Sequence, residues 1–121
     1  MTGLHGRRIL ALAGLAALVA PREARAHAVL LESTPPHDGT LPAGERTLVL
    51  RFNSRIDRGR SRLALVRPDK SEAVLALLPG SDDVLSATAV LAPGAHLLHW
   101  QVLALDGHIT RGELAFTVAA P

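Results

Sequence analysis

Two places in this chain carry side chains whose types and spacing suit metal coordination: His27, and the tripeptide Asp106-Gly107-His108. Residues i and i+2 of an extended chain project to the same side, and Gly107 permits a sharp bend without steric penalty. Asp106 and His108 can therefore offer one oxygen and one nitrogen to a single ion. His27 matters because it follows Ala24-Arg25-Ala26, the small-x-small pattern that a signal peptidase reads. Cleavage after Ala26 makes His27 the first residue, with two nitrogens of its own, the free α-amine and imidazole Nδ1. Together they close a chelate ring. The ordinary pKa of an α-amine, about 7.7–8.0, lets a strongly bound metal displace its proton near neutrality.

Three nitrogens and a carboxylate form a tetragonal N,O set. Such a set favours Cu(II), which also stands at the top of the divalent affinity order. Zinc is the main competitor, because it accepts His and Asp as well. The chain has no cysteine, which excludes disulfides, thiolate metal sites, haem attachment and thiol catalysis. Missing thiolates and an amine-imidazole chelate favour copper, one Cu(II) per chain.

The leader that would expose His27 has the three expected parts. Arg7 and Arg8 give a positive start, Ile9–Ala20 is an unbroken apolar run, and Pro21 precedes the cleavage motif. The run is well short of the roughly 20 residues that span a bilayer, which favours a cleaved signal over a retained anchor. Residues 1–26 are thus read as a signal peptide for export to the periplasm. The route is Sec, or Tat through the Arg7-Arg8 pair. Removal of the leader takes away Arg7, Arg8, Arg22 and Arg25 but only one acid, Glu23. The formal charge of +2 for the whole chain then becomes a near-balance. Nucleic-acid binding wants a basic stripe with stacking aromatics, and the chain has one Trp, two Phe and no Tyr. That class is excluded.

Residues 27–121 are read as one domain that must position these donors. Short apolar segments recur between turn clusters: Ala28–Ser33, Thr47–Phe52, Arg62–Arg67, Glu72–Leu78, Val84–Leu91, Ala95–Leu105 and Glu113–Val118. Strands of this length and spacing predict an all-β sandwich of immunoglobulin-like type with about seven strands. A helix over Glu72–Leu91 is opposed by Pro79-Gly80. Alternation assigns Leu48, Leu50 and Phe52, then His96, Leu98, Trp100 and Val102, and then Leu114, Phe116 and Val118 to the interior. His99 and Gln101 face outward. His37 is read as an exposed turn residue and at most a weak surface ligand, His96 as a hydrogen-bonded core or rim histidine, and Asp82-Asp83 as a solubilising loop pair.

The opening His27-Ala-Val-Leu, Ser33-Thr34-Pro35-Pro36, Gly39 and Thr47-Leu-Val-Leu-Arg-Phe52 resembles the CopC family of periplasmic copper-resistance proteins. So does the closing run of Pro93-Gly94, Trp100, Asp106-Gly107-His108, Gly112 and Phe116-Thr117-Val118. The resemblance spans His27–Val118. It implies a cupredoxin-like Greek-key sandwich with a Cu(II) site on His27 (amine and imidazole), Asp106 and His108. A methionine-rich Cu(I) site of some family members is not expected, since the one methionine is Met1. His96 stands where an aromatic is usual, and Ile109 where a proline often follows the Asp-Gly-His.

The expected role is a copper carrier or buffer and not an enzyme. It would act with a separate CopD-like inner-membrane copper transporter or a cuproenzyme, and meet the membrane only through that partner. Two rival readings remain. A copper-dependent oxidase or monooxygenase also uses an N-terminal histidine chelate, but Asp106 would fill a position that oxygen needs. A metal-free secreted β-sandwich interaction module would respond to copper neither in stability nor in spectrum.

Overall fold

The computed structural model describes residues 28–121; the leader expected over residues 1–26, and His27 itself, lie outside the described residues. Eight strands run in the order β1 (Leu30–Thr34), β2 (Gly39–Pro42), β3 (Gly44–Phe52), β4 (Ile56–Val66), β5 (Glu72–Leu75), β6 (Val84–Leu91), β7 (Gly94–Ala104) and β8 (Ile109–Ala119). They form two sheets, one of three strands ordered β1-β3-β6 and one of five ordered β2-β8-β7-β4-β5. The all-β sandwich expected from the alternating segments, with the Greek-key form that the resemblance implies, is therefore the fold.

The core lies between the sheets. From the small sheet come Leu48, Leu50, Phe52, Leu85, Ala87 and Leu91; from the large one come Leu63, Leu65, Leu98, Val102, Leu114, Phe116 and Val118, all buried. Within each strand these are alternate positions, because successive side chains of a strand point to opposite faces. Trp100 bridges the layers, its ring edge-on to Phe52 at 5.3 Å and 65°, a preferred aromatic geometry. Its indole also lies across Gly112, its partner on β8, where a β-carbon would collide with the ring.

Several segments differ from the sequence reading: β3 begins at Gly44 rather than Thr47, and β8 at Ile109 rather than Glu113. β2 is an eighth strand, paired in parallel with Phe116–Ala119 of β8. Its Pro42 closes an edge strand, where a missing N–H is tolerated. β4 begins at Ile56, not Arg62, because a bulge between Asp57 and Arg62 interrupts the alternation. There the Ser61 hydroxyl donates to the Asp57 carbonyl (2.6 Å) and accepts the Leu103 N–H (3.1 Å). β5 stops at Leu75 rather than Leu78.

Candidate metal centre

β7 and β8 pair along their whole length, from Gly94↔Val118 to Leu103↔Ile109. The hairpin that joins them holds Asp106, Gly107 and His108. The Gly107 N–H donates to the Ala104 carbonyl, and the Ala104 N–H to the His108 carbonyl, each at 2.9 Å. Gly107 has φ +90°, a left-handed conformation that side chains with a β-carbon resist. Asp106 Oδ1 accepts the His108 backbone N–H at 3.0 Å, the turn-forming bond that aspartate makes two residues on. Its other oxygen, Oδ2, lies 3.1 Å from His108 Nδ1.

The i/i+2 pair is thus brought together as the spacing predicts. The geometry adds a division of labour. A carboxylate beside Nδ1 orients the imidazole. The His108 side chain is 57% exposed and that of Asp106 31% exposed, so the ring is open to an incoming ion while the carboxylate is more sheltered.

At the other end of the chain, Ala28 is 1% exposed and belongs to the core. Val29 is clamped to Asn53 by two bonds. Its N–H donates to Asn53 Oδ1 (2.8 Å), and its carbonyl accepts the Asn53 N–H (2.9 Å). Asn53 directly follows β3, and three residues later Ile56 opens β4 opposite Ala104. The start of the described chain and the Asp-Gly-His hairpin therefore share one end of the sandwich. The Asp82 and Asp83 carbonyls brace that end by accepting the Ile56 and Phe52 N–H groups at 2.8 Å each, so this pair does more than solubilise. Sequence reasoning passed over Asn53, and its one signal was an amide side chain immediately after an alternating strand.

The remaining histidines are separate. His37 is exposed, and its Nδ1 accepts the Ala115 N–H at 3.1 Å, with Asp38 3.5 Å from Nε2. It pins the start of β2 to the far half of β8. His96 is buried, its Nδ1 donating to the Gly94 carbonyl at 3.1 Å while its ring stacks on Phe116 at 5.3 Å. It fills an aromatic's place by stacking like one. His99 faces outward, 3.4 Å from Glu113. Among the described residues, no group of three or more His, Asp or Glu side chains could hold a metal. The described part of the expected site is the Asp106–His108 pair.

An all-β Greek-key sandwich with an aspartate-held histidine in its last hairpin defines the class. The CopC domain family model matches residues 30–119, and the chain belongs to that family. Protein YobA of Escherichia coli K12 is 26% identical over 99 residues, which cover 77% of this chain and 79% of that protein. Among solved structures, CopC from Methylosinus trichosporium OB3b superposes with a TM-score of 0.69 at 22% identity, over 78% of this chain and 95% of that one. PcoC, described as a methionine-rich copper resistance protein from Escherichia coli, superposes at 0.63 with 24% identity, over 78% and 100%.

Proposed function

We propose that this protein is a periplasmic carrier or buffer of Cu(II). It binds one ion through the amine and imidazole of a processed His27 together with the Asp106–His108 hairpin. The observation that carries the reading is the carboxylate–imidazole contact of 3.1 Å, which presents a pre-oriented histidine at the end of the sandwich where Ala28 and Val29 are anchored. Membership of the CopC family supports it, as does the copper-resistance role that the name of PcoC records for that protein.

The chemistry suits holding the ion rather than reacting with it. Three nitrogens with a carboxylate fill or shield a square plane, leaving no strong site for oxygen. Asp106 acts twice in this reading, as the oxygen ligand and as the group that orients the His108 imidazole. Delivery would then require a partner able to displace these ligands, in line with a separate membrane transporter or cuproenzyme.

The test is a Cu(II) titration of the processed protein against its H108A variant, with Zn(II) in parallel. One tight copper site, lost in H108A while the fold persists by circular dichroism, supports the reading. Copper binding that ignores H108A, or zinc held more tightly than copper, refutes it.

A further inference from the structure

The outer face of the five-stranded sheet carries a second cluster, distant from the Asp-Gly-His hairpin along β7. Facing residues of paired strands share a face, and the ladder sets Arg62 opposite Gln101 and Gln101 opposite Arg111. The next row holds Ala64, His99 and Glu113. Arg62, Glu72, His99, Gln101, Arg111 and Glu113 line a cavity of about 420 Å3, within the size range of small-molecule sites.

Three features give this cavity a ligand preference. Arg111 is tied through Nε to Gln101 Oε1 at 2.8 Å, which leaves its two terminal nitrogens to meet a ligand. Neither Arg62 nor Arg111 has a carboxylate within ion-pair distance among the described residues, although Arg46, Arg51, Arg55, Arg58 and Arg60 each have an acid or carbonyl partner. His99 Nε2 is shielded from solvent yet makes no hydrogen bond, its nearest acid oxygen lying at 3.4 Å. A shielded ring nitrogen held only by this loose contact with Glu113 has room for a better hydrogen-bond partner.

We propose that this cavity binds a small organic carboxylate between the Arg62 and Arg111 guanidiniums, with His99 Nε2 completing its hydrogen bonds. Planar forks on both sides match a carboxylate's two oxygens better than a point charge would. Strand spacing sets the two arginine backbones roughly 10 Å apart, so a di- or tricarboxylate can engage both. Glu72 and Glu113 also line the cavity and limit its affinity for anions. The site is independent of the copper reading.

Trp100 also lines the cavity and is the chain's one tryptophan, so its fluorescence reports occupancy. The experiment titrates copper-free processed protein with citrate at constant ionic strength, following Trp100 emission and amide and arginine Nε–H shifts by NMR. The expected result is a saturable response centred on Arg62, His99, Gln101 and Arg111. It should weaken at least about tenfold in R62Q/R111Q and strengthen in E113Q, where a repelling charge is gone. Both changes are on exposed side chains and should leave thermal unfolding nearly unmoved. If the double variant does not fold, E113Q and Q101A decide alone, tightening and loosening the response respectively. A response that sulfate reproduces at equal ionic strength, that does not saturate, or that neither R62Q/R111Q nor E113Q alters would overturn the proposal.

Discussion

Two hairpin turns in this protein share one backbone design and differ in what they offer. In the turn between β4 and β5, the Lys70 N–H donates to the Arg67 carbonyl and the Arg67 N–H to the Ser71 carbonyl, each at 2.9 Å. Asp69 Oδ1 accepts the Ser71 N–H at 2.9 Å, and Lys70 takes φ +73°. Between β7 and β8 the same bonds recur, with Ala104, Asp106, Gly107 and His108 in the places of Arg67, Asp69, Lys70 and Ser71. Both are three-residue loops ending in a left-handed residue, a common way to join antiparallel strands. The last position separates them. Ser71 turns its hydroxyl back onto Asp69 at 2.6 Å and completes a closed local structure. His108 is too large to close the turn in that way, and it sets an imidazole beside the same carboxylate position, open to solvent. One turn uses its aspartate on local geometry alone; the other sets it against an exposed imidazole.

Replacing His108 should have the largest effect on this contrast. H108A is expected to lower Cu(II) affinity by more than about 100-fold, since it removes a ligand and not only its support. The complementary variant adds S71H to H108A. That creates an Asp-x-His turn between β4 and β5, at the opposite end of the sandwich, and isothermal titration should find tight copper binding still absent. Recovery there would mean that the turn suffices, and that residue 27 plays no part. D106A is expected to weaken copper binding by at least about 10–100-fold, the usual cost of losing a carboxylate that orients a metal-bound histidine, with the oxygen donor lost as well.

Smaller effects concern the backbone. Lys70 holds a left-handed conformation with a β-carbon, so K70G should stabilise the fold by roughly 0.5–1 kcal/mol, while G107A should destabilise it by roughly 1 kcal/mol. Chemical denaturation would show both, and equal signs for the two would break the comparison. The smallest is a pH effect. The hydrogen bond from the Ser71 side chain, and then that from its backbone N–H, hold the Asp69 carboxyl below its ordinary range. A lowered native pKa contributes stability that is present above the ordinary carboxylate range and lost as pH falls through the depressed value. The acid limb of the melting-temperature profile should therefore be shallower in S71A than in the parent protein.

Much of this was legible in the sequence, and the parts that were not share a cause. Strict alternation in Thr47–Phe52 and Ala95–Ala104 marked the buried faces directly, because both lie in regular ladders. Where the ladder is irregular, the pattern vanished. The bulge in β4 put Arg58, Gly59 and Arg60 in a strand that reads as loop, and β2 is four residues ending in proline. Asp106 and His108 could be paired from spacing alone, because their contact is local. Asn53 could not be assigned its clamp on Val29, because that contact joins residues 24 apart. The likeness of the two hairpins was equally hidden, since Pro68-Asp69-Lys70-Ser71 and Leu105-Asp106-Gly107-His108 share only the aspartate.

The central claim is that the first residue of the processed chain completes the copper site. It is tested most directly by the Cu(II) EPR spectrum of protein exported with its own leader, beside a version carrying one extra alanine ahead of His27. A mature mass beginning at His27, with a tetragonal nitrogen-rich spectrum that is lost or altered by the added alanine, is the predicted result. A mature chain beginning elsewhere, or identical spectra from both proteins, would contradict it.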